Sequence, residues 1–128
     1  FLADADEKRL YDEAFALVRS GDFAAAVTAF NNFSRRYPGS GYVDSVRFWL
    51  GNAQYGKREY KDAIASFRAF IAGAPEHSRV PEAMLAVANC QAEMKDSKGA
   101  RVTLADLLKR FPQSEAAQAG KERLAALK

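Results

Sequence analysis

The segment Leu50-Gly51-Asn52-Ala53-Gln54-Tyr55-Gly56-Lys57-Arg58-Glu59-Tyr60-Lys61-Asp62-Ala63-Ile64-Ala65-Ser66-Phe67 reads as two helices joined by a tight turn. Apolar residues at helical spacing lead into Gly56-Lys57-Arg58-Glu59, which breaks the pattern, and Tyr60 restarts it. Ala63 has counterparts at Ala26 and Ala100, and Phe67 at Phe30 and Leu104. Phe70 matches Phe33 and Leu107, and Pro75 matches Pro38 and Pro112, always 37 residues away. A fixed period of this length is the mark of a solenoid, in which one unit cannot bury its apolar face alone.

Each unit reads as two helices. In the first, residues 6–19 precede the Ser20-Gly21-Asp22 turn, and a second helix from Phe23 ends at Tyr37-Pro38-Gly39. In the middle unit the helices cover residues 44–55 and 60–72, with Gly73 and Pro75 as stops. In the third they cover residues 81–94 and 98–110, separated by Lys95-Asp96-Ser97, and Phe111-Pro112 follows. A last helix over 114–127 has the register of the first half of a fourth unit. The expectation is an all-α chain of seven helices without a strand.

The signature positions resemble the tetratricopeptide repeat (TPR). Leu50-Gly51, Tyr60, Ala63, Phe67 and Pro75 carry its pattern in the middle unit. Ala14, Phe23, Ala26, Phe30 and Pro38 carry it in the first, and Val87-Ala88, Ala100, Leu104 and Pro112 in the third. Ser97 departs from it where Phe23 and Tyr60 stand. The resemblance implies a right-handed α-solenoid of three TPR helix pairs, at about 6–39, 43–76 and 80–113, plus a C-terminal capping helix at 114–127. The whole chain, 1–128, then forms one TPR domain. Small residues are required where paired helices cross, because a larger side chain would overpack the contact by about 1–3 kcal/mol.

The period exceeds the usual TPR length of about 34 residues, and the extra residues fall in Gly39-Ser40-Gly41 and Glu76-His77-Ser78. Tyr37-Pro38-Gly39-Ser40 and Phe111-Pro112-Gln113-Ser114 resemble envelope TPR proteins of Gram-negative bacteria. Val46-Arg47-Phe48-Trp49-Leu50-Gly51-Asn52-Ala53-Gln54-Tyr55 resembles the Tyr-Trp-Leu-Gly segment of the Tol-Pal system cell division coordinator (CpoB, YbgF) family, and the run 116–124 resembles that family's ending. The resemblance implies a periplasmic protein–protein interaction module that binds TolA and coordinates outer-membrane constriction with septal peptidoglycan synthesis. It also implies a preceding coiled coil through which the full-length protein oligomerises. The alternative is a TPR assembly factor for outer-membrane β-barrel insertion or pilus biogenesis.

Composition narrows the function classes. With 128 residues and 48% hydrophobic content, the chain can bury roughly two-thirds of its unfolded surface. No run of about 18 apolar residues occurs, so direct membrane insertion is not expected. The net charge of +3 is small and dispersed, which argues against nucleic acid. Arg35-Arg36 and Lys109-Arg110 end second helices, where cations complement the helix dipole. Lys8-Arg9 starts a helix, the wrong end for that role, and is the better candidate for an acidic partner.

No catalytic residue, metal site or cofactor is expected. The only histidine is His77, in a loop, and the only cysteine is Cys90, in a helix among Val87, Ala88 and Met94. No phosphate loop, HExxH or paired CxxC is present. Asp4, Asp6 and Glu7 read as a helix cap.

In TPR proteins the first helix of each unit lines the concave groove. Counting from the signature small residue, the groove positions are Tyr11, Phe15 and Val18, then Phe48, Asn52 and Tyr55, then Leu85, Asn89 and Ala92. The candidate partner-binding residues are Tyr11, Phe15, Phe48, Asn52, Tyr55, Leu85 and Asn89. Tyr11, Phe48 and Leu85 stand where carboxylate-clamp cochaperones carry lysine, so the basic clamp is missing. An aromatic and apolar groove suits an amphipathic helix or extended hydrophobic segment.

Overall fold

A computed structural model describes residues 1–127. The helices are α1 (Ala5–Arg19), α2 (Phe23–Arg36), α3 (Val43–Gly56), α4 (Tyr60–Gly73), α5 (Val80–Glu93), α6 (Ser97–Arg110) and α7 (Glu115–Ala126), with no strand among the described residues. Every helix expected from the sequence is present, with ends shifted by a residue or so.

The turn inside each helix pair has one design. Gly21, Arg58 and Lys95, one period apart, all adopt positive φ, at 81°, 63° and 65°. In each turn the amide after the left-handed residue bonds a carbonyl five residues back: Asp22 to Leu17, Glu59 to Gln54 and Asp96 to Gln91, all at 2.9 Å. This is the Schellman arrangement, which satisfies carbonyls orphaned at the helix end. The next helix is then capped, since the carboxylates of Asp22 and Asp96 accept from the amides of Ala25 and Gly99.

The chain divides into two compact units, the first being Phe1–Ser66 and the second starting at Phe67, within α4. In the first, α1 packs on α2 and both pack on α3. Its core holds Ala14, Ala26, Phe30, Phe33, Val46 and Ala53. Full burial of rings such as Phe30 and Phe33 contributes about 1.5–3 kcal/mol each. In the second, α5 packs on α6 and both pack on α7, with Leu104 and Leu107 buried. Both units thus repeat one plan, a helix pair closed by the first helix of the next pair.

The α1 N-terminus is tied down as expected, with one addition. Asp4 and Glu7 form a reciprocal capping box. The Glu7 carboxylate, only 9% exposed, also accepts the Ser40 hydroxyl hydrogen bond, and Ser40 Oγ accepts from the Tyr42 amide at 3.0 Å. One buried carboxylate therefore joins the helix cap to the loop after α2.

Candidate functional site

In the first unit the facing sides of α1 and α3 carry a ladder of rings. Tyr11 stacks on Tyr42 at 4.3 Å, the planes 5° apart, and sets its edge to Phe30 and Phe33. Phe15 lies parallel to Tyr11 at 6.3 Å and meets Trp49 edge-on at 5.0 Å. Trp49 in turn meets Phe48 edge-on at 4.9 Å. Such offset and edge contacts are the favoured aromatic geometries and add about 0.5–1.5 kcal/mol per pair beyond area burial. The Arg19 guanidinium sits 5.8 Å from the Phe15 ring centre.

This geometry sorts the expected groove residues. Tyr11, Phe15, Asn52 and Tyr55 are half-buried and keep area on the surface. Phe48 is corrected: at 2% exposure it is a packing residue and offers a partner no area. Helical spacing puts it on the first-helix face, but the Trp49 ring and the surrounding chain close over it. Asn52 is partly committed, because its Nδ2 donates to the Phe48 carbonyl at 2.9 Å within α3. Tyr55 sets its ring against Tyr60 across the turn at 5.5 Å. Tyr42 and Trp49 belong to the same ladder and were missed. Tyr42 precedes the expected start of α3, and Trp49 lies between the groove positions counted from Gly51.

In the second unit, Leu85 and Asn89 are half-buried on α5. Leu85 lines a cleft of 440 Å³ with Ser78, Pro81 and Glu82 on one side and Ser114, Glu115, Ala116 and Ala119 on the other. Glu82 pairs with Arg79 at 3.1 Å, and the Ser114 hydroxyl caps α7 through the Ala117 amide.

The charges of α1 answer each other. Lys8 meets Asp12 at 2.6 Å, while Arg9 reaches both Asp6 and Glu13. The hydrogen bond and charge of Asp12 hold the Lys8 ammonium above the usual lysine range. Lys8 and Arg9, singled out for an acidic partner, are therefore already partnered on their own helix. Cys90 is fully buried, and desolvation, with the nearby Glu93 charge, pushes its thiol up to about 11. Such a thiol is unreactive at neutral pH. No cluster of metal-ligating side chains occurs among the described residues, and no helix there is long and apolar enough to cross a membrane.

Helix pairs repeated with one turn geometry and closed by a further helix place the chain in the class of TPR-type helical-repeat solenoids, a fold met in solved tetratricopeptide repeat structures. The chain belongs to the YfiO outer membrane lipoprotein family, whose pattern matches residues 3–128. It is similar to the cell division coordinator CpoB of Pseudomonas putida, 45% identical over 53 residues, or 41% of this chain and 20% of that protein. It is also similar to the outer membrane protein assembly factor BamD of Xylella fastidiosa, 31% identical over 74 residues, or 58% of this chain and 25% of that protein. The matched stretches span a quarter or less of those relatives. PcrH of Pseudomonas aeruginosa, in complex with the chaperone binding region of PopB, shares the fold with a TM-score of 0.74 at 18% identity, over 98% of this chain and 96% of that one. Sequence and fold together describe a CpoB-like TPR domain.

Proposed function

We propose that this chain is a non-enzymatic protein-interaction domain of the Tol-Pal envelope system. In this reading it works in the periplasm, binds TolA, and helps coordinate outer-membrane constriction with septal peptidoglycan synthesis. The observation that carries it is the character of the first-helix faces. They present half-buried Tyr11, Phe15, Tyr55 and Leu85, apolar groups suited to a polypeptide segment. The similarity to CpoB supports the choice of system. The PcrH complex supports the idea that this fold can hold a partner segment. The full-length protein oligomerises through a coiled coil outside these residues.

Calorimetric titration of the domain with a TolA fragment tests this. Binding without metal or nucleotide, with a negative heat-capacity change from apolar burial and modest salt sensitivity, is expected. A second reading, assembly of outer-membrane β-barrels, is favoured by the family match over residues 3–128 and by the BamD similarity. No complex with TolA, alongside firm binding to a β-barrel assembly component, would establish that reading instead.

A further inference from the structure

We infer that the cleft between α5 and α7 is a slot for one aromatic side chain of an extended, basic partner segment, an inference that rests on the chain being a partner-binding domain. Two periods, or 74 residues, separate Tyr11 from Leu85 and Tyr42 from Ala116. In the first unit these positions hold two stacked rings at 4.3 Å, and the edge of Phe1 closes on Tyr42 at 5.0 Å. In the second unit the same positions hold leucine and alanine, and both line the 440 Å³ cleft. A closed apolar cavity of roughly 150 Å³ already accepts benzene, so a phenyl ring has room here.

The walls suit the same occupant. Pro81, Leu85, Ala116 and Ala119 are each half-buried, with apolar surface facing the opening. In the first unit the position equivalent to Ala116 is instead filled by the Tyr42 ring, stacked on Tyr11. Glu82 and Glu115 stand at the rim. Arg79 neutralises part of the Glu82 charge, and the α7 N-terminus offsets part of that of Glu115. The preference for basic flanking residues is accordingly the smaller contribution and the ring the larger.

The 128-residue chain, labelled with nitrogen-15, is titrated with the blocked peptide Ala-Lys-Phe-Lys-Ala, its Phe-to-Ala counterpart and its Lys-to-Glu counterpart. The first peptide should shift the amides of Leu85, Ala116 and Ala119. Loss of the ring should weaken binding by about tenfold or more, as for an anchoring aromatic, and reversal of the charges by a smaller factor. Leu85→Tyr combined with Ala116→Tyr rebuilds the first unit's stack and should remove binding while leaving helicity and melting temperature intact. If that variant does not fold, Ala119→Leu narrows the slot with a smaller change. Shifts on another face, equal binding of the Phe and Ala peptides, or undiminished binding by a folded, filled variant would overturn the inference. Failure of TolA to bind the unaltered domain would remove the proposed function and leave peptide shifts at α5 and α7 standing. Peptide failure with TolA binding intact would remove the slot alone.

Discussion

Ser66 donates its hydroxyl proton to Gln54 Oε1 at 2.6 Å, joining the two helices of the middle pair, and one period later Thr103 does the same to Gln91 at 2.7 Å. Both glutamines are buried, at 9% and 7% exposure. The first pair uses Leu17 and Ala29 at these positions. The same helix crossing therefore carries a polar bond twice and, in the first pair, two apolar residues packed against the core.

Gln91→Leu should destabilise the domain by about 1–3 kcal/mol, because it leaves the half-buried Thr103 hydroxyl without its acceptor. Adding Thr103→Ala, which reproduces the first pair, should cost little more or recover part of the loss. Urea denaturation of the two singles and the double measures the coupling. Strictly additive losses would show that the bond contributes nothing.

Lys95→Gly should raise stability and Gly21→Ala should lower it, each by about 1 kcal/mol. Both positions are left-handed, where a Cβ costs roughly 1–2 kcal/mol and glycine's extra unfolded-chain entropy offsets part of the gain. Thermal melts of the two variants check the signs.

Gly51→Leu should cost about 1–3 kcal/mol by overpacking, since Gly51 is buried in α3. Gly39→Leu should cost less, because a Cβ there meets nothing within 4 Å and the backbone is not left-handed. Equal denaturation midpoints would contradict the repeat register.

Stability should fall with rising alkalinity through Cys90. Its folded value of about 11 lies above the ordinary 9.0, so between these values the folded thiol holds a proton that the unfolded one has released. The contribution is complete below pH 9 and is lost toward pH 11, at about 1.4 kcal/mol per pH unit. Cys90→Ala should lack this slope. Subtracting its pH–stability curve from that of the unaltered chain isolates the effect from lysine and tyrosine titration.

Much of the fold is legible in the residues because its determinants are local. Gly21 and the prolines at 38, 75 and 112 mark the ends, and apolar spacing marks the helices between them. Arg58 and Lys95 were not legible as left-handed residues, since nothing in a lysine or arginine announces it; only their register with Gly21 does. The groove assignment was partly legible. Spacing from Ala14, Gly51 and Ala88 found the first-helix face, yet it could not tell Phe48, which is enclosed, from Tyr11 and Phe15, which keep a surface.

The repeat, the helices and the apolar character of their faces can be read from the residues alone, because helical spacing and punctuation act over a few residues. Which of those apolar residues are closed and which stay open is set by packing in the folded chain. Burial depends on the side chain opposite, and that neighbour is remote in sequence: Tyr42 across from Tyr11, Ala116 across from Leu85, Ser40 beside Glu7.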